Sequence, residues 1–272
     1  MEGSNAKRGL GDLPARIAIA LPAGAVVAGA VALGGWPFAA VLAIAAGLAA
    51  VEGARLFAVE GWCALAVGLG AVGLVVVAEA EGRAALVPAT LAGCGLVAVA
   101  AVRAMPDGAR ARTAAAGALL VVWVGGGLAH GALLRELPHG AGLVVAILLG
   151  TFLGDTAAHI GGTLAGRRPL APRVSPNKTM EGLALGIAFG TASVVVFGVA
   201  FTDWLDAADA ALLGLAVAIA APLGDLFESA VKRDAGVKDS GSLLGPHGGM
   251  LDRVDAVLVT APTGFYAALA LL

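Results

Sequence analysis

Between Asp225 and Asp255 the chain concentrates charge that it otherwise avoids. Asp225, Glu228, Ser229 and Lys232 recur at i, i+3, i+4 and i+7, the spacing of a single helical face. Arg233, Asp234, Lys238, Asp239, His247, Asp252, Arg253 and Asp255 follow within one stretch, SAVKRDAGVKDSGSLLGPHGGMLDRVD at 229–255. A polar stripe on an apolar helix is expected to face a cavity rather than lipid. An ion pair between Glu228 and Lys232 accounts for those two residues without any function, but it leaves Asp225 unexplained. Asp252 and Asp255, three residues apart, share a helix face, and with Asp225 they are expected to converge at one mouth. Oxygen donors of this kind suit Mg²⁺, which is commonly held by one or two carboxylates together with substrate phosphates. Between the acidic ends runs a loop containing Gly236, Gly241, Gly245, Gly248 and Gly249. Glycines at this density permit positive φ and close approach to a ligand, and successive N–H groups in such turns form anion-binding nests. Beside Lys232, Arg233 and Lys238, that loop is expected to receive phosphate.

Two further polar clusters interrupt the apolar pattern. In GDTAAH at 154–159, Asp155 lies at the end of an apolar run, where an ionisable group at membrane depth costs about 2.5–3.5 kcal/mol and marks a functional candidate. In RRPLAPRVSPNKTMEG at 167–182, Ser175-Pro176 reads as a helix N-cap followed by proline at the first helical position. A helix starting there would aim its free N–H groups and positive dipole end at an anion, with Lys178 adding a charge in the first turn. Arg167, Arg168 and Arg173 read equally well as charges that fix membrane topology.

The elements that must position these groups are transmembrane helices. With 59% hydrophobic and 13% charged residues and a mean hydropathy of +0.92, the chain is expected to be an all-α polytopic membrane protein. Its 41 glycines suit helices packed closely in lipid. Nine spans are expected, near 17–34, 37–54, 61–78, 84–102, 114–134, 140–158, 182–202, 208–226 and 254–271. The first reads as a retained span rather than a cleaved leader. The second is short, running from the turn at Gly34-Gly35-Trp36-Pro37 to Glu52. With the N-terminus inside, every Lys and Arg of the 17 except Arg83 and Arg135 falls on the cytoplasmic side, whereas Glu79, Glu81, Glu136, Asp203, Asp206 and Asp209 fall outside. That asymmetry supports both the count and the orientation. All three polar clusters then face the cytoplasm.

Residues 1–139 read as a scaffold of about five helices, and 140–272 as the region that carries the chemistry. Cys63 and Cys94 sit in apolar runs without a partner motif and read as packing residues. His130 and His139 read as interfacial side chains. A net charge of −2 offers nothing to nucleic acid. From the residues alone, the expectation is a membrane-embedded site that takes a polyphosphate with a divalent metal and a lipid as second substrate. The alternative is an ion-coupled transporter, which also uses intramembrane acids and broken helices.

The run at 229–255 resembles, over its whole length and without a gap, the C-terminal signature of the phosphatidate cytidylyltransferase (CDP-diacylglycerol synthase) family. Asp155 with Ala158 and Gly162, and APRVSPNKTMEG at 171–182, are similar to that family's other motif segments. The first half matches only as generic apolar spans. His159 stands where the family usually has an aromatic, and Thr163 where it has Arg or Lys. The resemblance implies reaction of CTP with phosphatidate to give CDP-diacylglycerol and pyrophosphate, in the inner (cytoplasmic) membrane and as a homodimer. It implies Mg²⁺, with a place for a second monovalent or divalent cation, on Asp225, Asp252 and Asp255. It further implies phosphate contacts from Lys178, Lys232, Arg233, Lys238 and Arg253, and orienting roles for Asp155, Asp239, Asp255 and His247. Ser175, Glu228, Ser229, Gly248 and Gly249 complete the expected substrate contacts. The nearest rivals are a CTP-dependent polyprenol kinase and an ether-lipid cytidylyltransferase.

Overall fold

Apolar runs long enough to cross a bilayer must satisfy their own backbone hydrogen bonds, and helices do so within one segment. The computed structural model describes residues 13–241, 243 and 248–272, with side chains of the first helix from residue 21 onward. Among these residues nine helices follow one another: α1 (Leu13–Leu33), α2 (Gly35–Leu56), α3 (Gly61–Glu81), α4 (Arg83–Ala104), α5 (Arg110–Glu136), α6 (Gly140–Ala165), α7 (Met180–Phe201), α8 (Ala207–Asp234) and α9 (Leu251–Leu271). The last eight are long and apolar enough to span a membrane. The first expected span coincides with α1, of which Leu21–Leu33 counts as a shorter apolar helix among the described residues. Large apolar side chains stand exposed along these helices, including Leu33, Trp62, Leu164 and Phe201. A surface so apolar is solvated by lipid, and the chain is a multi-pass membrane protein.

Two helices run well past their expected ends. α6 continues to Ala165 and α8 to Asp234, so Asp155, His159 and the whole stripe from Asp225 to Arg233 lie on regular helix. Apolarity stops where charges begin, but helical hydrogen bonding does not.

The segment at 167–179 corrects one expectation. No helix starts at Ser175: Ser175–Thr179 is strand β2, paired antiparallel with β1 (Pro169–Ala171) in the register Pro169↔Thr179 and Ala171↔Ser175. The proline that suggested a helix start instead biases Ser175 toward extended backbone, and an edge strand tolerates Pro176. The N-cap is Thr179, whose Oγ1 accepts the Gly182 N–H at 3.1 Å. Glu181 accepts the backbone N–H groups of Arg167 and Arg168 at 3.0 and 3.2 Å, and Met180 N donates to Arg168 O at 2.9 Å. The end of α6 is thereby tied to the start of α7.

α6 packs along α7, α7 along α8, and α8 along α9. Small residues four apart make the first contact: Gly150, Gly154 and Ala158 on α6 against Gly182, Gly186 and Gly190 on α7. A Cβ on Gly182 would stand 2.6 Å from Ala158 O, on Gly186 3.0 Å from Gly154 O, and on Gly190 2.8 Å from Gly150 O. Lipid supplies no hydrophobic drive between helices, so such close backbone packing holds them together. Between α8 and α9 the corresponding residue is Gly224, whose Cβ would collide with the Asp255 carbonyl oxygen. Asp225 and Asp255 are neighbours as a result.

α2, α3 and α4 pack in sequence order and lean on α5, which also packs against α9. A π-helical turn at Val121–Gly126 interrupts α5. At the opposite end of the bundle from the polar clusters, Arg135 donates to Val31 O at 2.8 Å, placing a cation at the C-terminus of α1. His130 Nδ1 lies 2.7 Å from Gly126 O, and His139 stacks on Trp204 with ring centroids 4.7 Å apart. Cys63 is buried, Cys94 half-buried, and both are free thiols.

Candidate functional site

α8 ends in a way that fixes its last charges. Gly236, at φ +73°, follows the helix, Gly236 N donates to Arg233 O at 3.0 Å, and Val237 N donates to Lys232 O at 2.9 Å. This is a Schellman termination, which needs glycine at the left-handed position. Lys232 points back into the bundle, where its Nζ lies 2.8 Å from Asp252 Oδ1 and 2.5 Å from Glu228 Oε2. Arg233 points outward, donating from Nε to Val174 O and from Nη1 to Val237 O, each at 3.3 Å. It thereby bridges the β-hairpin to the loop after α8.

Asp252, in the first turn of α9, organises that loop. Its carboxylate accepts Ser240 N at 3.0 Å, Gly249 N at 2.7 Å and the Lys232 ammonium. Gly248 has φ +78°, and a Cβ there would stand 2.6 Å from Asp252 Oδ2, so conformation and space both require glycine. Glu228 is fully buried, and neither of its carboxylate oxygens makes an aligned hydrogen bond. Among the described residues its ion-pair partner is Lys232.

A second group forms one turn earlier on α8. Lys178, carried by β2, stands 2.6 Å from Asp225 Oδ2, and Ser229 Oγ donates to Asp225 Oδ1 at 3.2 Å. The Lys178 Nζ is buried without an aligned hydrogen bond. Asp155 from α6 and Asp255 from α9 lie close enough to Asp225 for the three carboxylates to repel one another. Asp255 Oδ1 also accepts the Ala256 N–H at 2.8 Å.

The carboxylates expected to converge are thus distributed between two groups. Asp225 and Asp155 gather at Lys178, Asp252 joins Glu228 and Lys232, and Asp255 stands between them, close to Asp225, Asp155 and Lys232. Among the described residues no three His, Cys, Asp or Glu side chains stand at the spacing of one metal shell. Lys238, Asp239 and Arg253 are exposed around the mouth, Ser175 is half-buried in β2, and Gly249 is buried at the end of the loop. His247 lies outside the described residues. Of the two departures from the family pattern, His159 is exposed on α6, and Thr163 spends its hydroxyl on His159 O at 2.8 Å.

One residue of the site was not expected from the sequence. Glu52 on α2 is buried, and its Oε2 accepts Leu251 N at 2.9 Å and Ser240 Oγ at 3.3 Å. A Cβ on Gly241 would stand 2.7 Å from Glu52 Oε1. The signal was present, because an acid inside an apolar span is a functional candidate by default. In the sequence Glu52 marks the end of the second expected span.

The sequence profile of the cytidylyltransferase family matches residues 14–272. Among curated proteins, the chain is 44% identical over 144 residues to the uncharacterized protein YnbB of Escherichia coli K12, covering 51% of this chain and 48% of that protein. It is 40% identical over 153 residues to the phosphatidate cytidylyltransferase of Mycobacterium leprae, covering 55% and 48%. Against the phosphatidate cytidylyltransferase of a Synechocystis species it is 45% identical over 134 residues, covering 48% and 45%. The matched region spans about half the length of these relatives. With the family profile running through all the helices that carry the two acid–lysine groups, the chain belongs to the cytidylyltransferase family.

Proposed function

We propose that this protein is an integral-membrane phosphatidate cytidylyltransferase, converting CTP and phosphatidate to CDP-diacylglycerol and pyrophosphate at a site facing the cytoplasm. The observation that carries the reading is the pair of groups that meet at α8, Lys178 of β2 with Asp225 and Lys232 with Asp252 of α9, beside a glycine-containing loop at one end of a membrane bundle. Family membership and the names of two half-length relatives support the reaction. The distribution of Lys and Arg supports the orientation, and a homodimer is part of the same proposal.

The chemistry asks little of a general base. A phosphate monoester has its second pKa at about 6 and is largely ionised near neutrality, so in-line attack at the CTP α-phosphorus depends mainly on positioning and charge neutralisation. Lys178, Arg233, Lys238 and Arg253 surround the mouth and bind phosphates. Lys232 is committed to Glu228 and Asp252, and its part is to hold the loop. An incoming phosphate competes with Asp225 for Lys178, which frees the Asp225 carboxylate as the anion binds.

Asp225 and Asp255, with Asp155 beside them, offer the hard oxygen donors that Mg²⁺ takes. The ion needs only one or two carboxylates when phosphates complete its shell, so this donor set fits. When bound, Mg²⁺ supplies charge neutralisation at the reacting phosphate. Asp252, already accepting from one ammonium and two N–H groups, orients the loop beside it.

The test is product identity. Purified protein with phosphatidate and CTP labelled at the α-phosphate should move that label into the lipid phase, whereas CTP labelled at the γ-phosphate should leave its label in water as pyrophosphate. γ-Label in the lipid would mean a kinase instead. Transfer to another phospholipid acceptor but not to phosphatidate would keep the enzyme class and change the substrate.

A further inference from the structure

We infer that Glu52, in the N-terminal half, is a positioning residue for the nucleotide loop and thereby sets affinity for CTP. The inference rests on the proposed function. Two carboxylates grip the ends of the loop at 240–251 from opposite sides. Asp252, from within the C-terminal segment, accepts Ser240 N and Gly249 N. Glu52, from α2, accepts Ser240 Oγ and Leu251 N. Ser240 is thus held through its backbone by one acid and through its side chain by the other.

Packing alone does not account for Glu52. Its helical neighbours Ala49, Ala50, Gly53 and Ala54 are all small and buried, and an alanine at position 52 would continue that surface without desolvating a carboxylate. Among the described residues the two hydrogen bonds of Glu52 go to Ser240 and to the start of α9, about two hundred residues away in sequence. Gly241 and Gly249 pack directly against the carboxylate, leaving no room for side chains. Gly241, Gly248 and Gly249 lie at the two ends so tied, and glycine loses more conformational freedom on ordering than any other residue. Tying the ends of the loop beforehand removes part of that cost from binding, which is the physical meaning of preorganisation.

The test uses the full chain in lipid nanodiscs. Without nucleotide, hydrogen–deuterium exchange at the Leu251 amide should be about tenfold faster in Glu52→Ala, because its acceptor is gone, while α7 exchanges as in the wild type. Glu52→Gln keeps an acceptor oxygen and should stay within about threefold of wild type. In the cytidylyltransferase assay Glu52→Ala should raise KM for CTP about tenfold with KM for phosphatidate within about twofold, and Glu52→Gln should recover most of the loss. Unchanged exchange at 240–251 would overturn the clamp, whichever reaction the protein catalyses. Faster exchange with both KM values raised together would overturn the selective role in CTP binding and leave Glu52 a general brace. If Glu52→Ala does not fold, Ser240→Ala removes one Glu52 bond and must show the CTP effect in smaller measure. A wild-type protein inactive toward CTP would count against the proposed function, and the exchange result would then decide the clamp by itself.

Discussion

Lys232 and Lys178 serve neighbouring parts of one site, yet their surroundings give them different work. Lys232 is the more deeply enclosed of the two, between Glu228, which is fully buried, and Asp252. Removing one member of a buried ionic group leaves the others uncompensated, so Lys232→Met should destabilise the protein by about 3–5 kcal/mol. A lowered thermal midpoint in detergent would register it. Lys178 and Asp225 have side-chain accessibilities of 25% and 33%, and although the Lys178 Nζ itself is buried, the like charges of Asp155 and Asp255 beside Asp225 offset the attraction, so the pair contributes little net stability. Asp225→Asn should therefore leave the midpoint almost unchanged while lowering turnover by about a hundredfold or more, since the lost charge acts on the reacting phosphates. A variant that lost both stability and activity in proportion would instead class Asp225 with the Lys232 group. Asp225, Glu228, Ser229 and Lys232 were readable in the sequence because helical spacing alone puts them on one face. Glu52 was readable as an acid in an apolar span, but its role was not, because its partners lie 188 and 199 positions away and no local pattern encodes that contact.

At the scale of elements, the transmembrane helices were legible because a bilayer demands long apolar runs, and sequence states these directly. Their ends were less legible. α6 and α8 carry polar residues through their last turns, and composition cannot distinguish a charged helix end from a charged loop. The stretch at 175–179 misled for a local reason: Ser-Pro is compatible with a helix start and with an extended strand, and the Thr179 cap together with the Glu181 bridge favours the strand. Thr179→Ala should cost about 1 kcal/mol through the lost cap. Because β2 carries Lys178, the same change should also weaken CTP binding, measurable as a raised KM. The α6–α7 contact gives a sharper prediction. Gly186→Leu would drive a side chain into Ala158 and the Gly154 carbonyl, so the yield of folded protein from detergent should fall severely. Gly73, which has open space where a Cβ would be, should accept alanine with little effect and serves as the control.

Across the whole molecule, the two halves expected from the sequence are in contact. α2 supplies Glu52, α5 packs against α9, and the loop between α8 and α9 is gripped from both sides. The proposed placement of this end of the bundle in the cytoplasm predicts that a single cysteine at Lys238, in a background lacking Cys63 and Cys94, reacts with an impermeant maleimide only in inside-out vesicles. Labelling in intact cells would reverse the orientation. The most direct test of the central claim is pyrophosphate release from CTP by the purified protein, with phosphatidate and Mg²⁺ each supplied and withheld. The account predicts pyrophosphate only when both are present, together with its loss in Asp225→Asn at unchanged thermal stability. Pyrophosphate formed without lipid, or wild-type rates in Asp225→Asn, would contradict it.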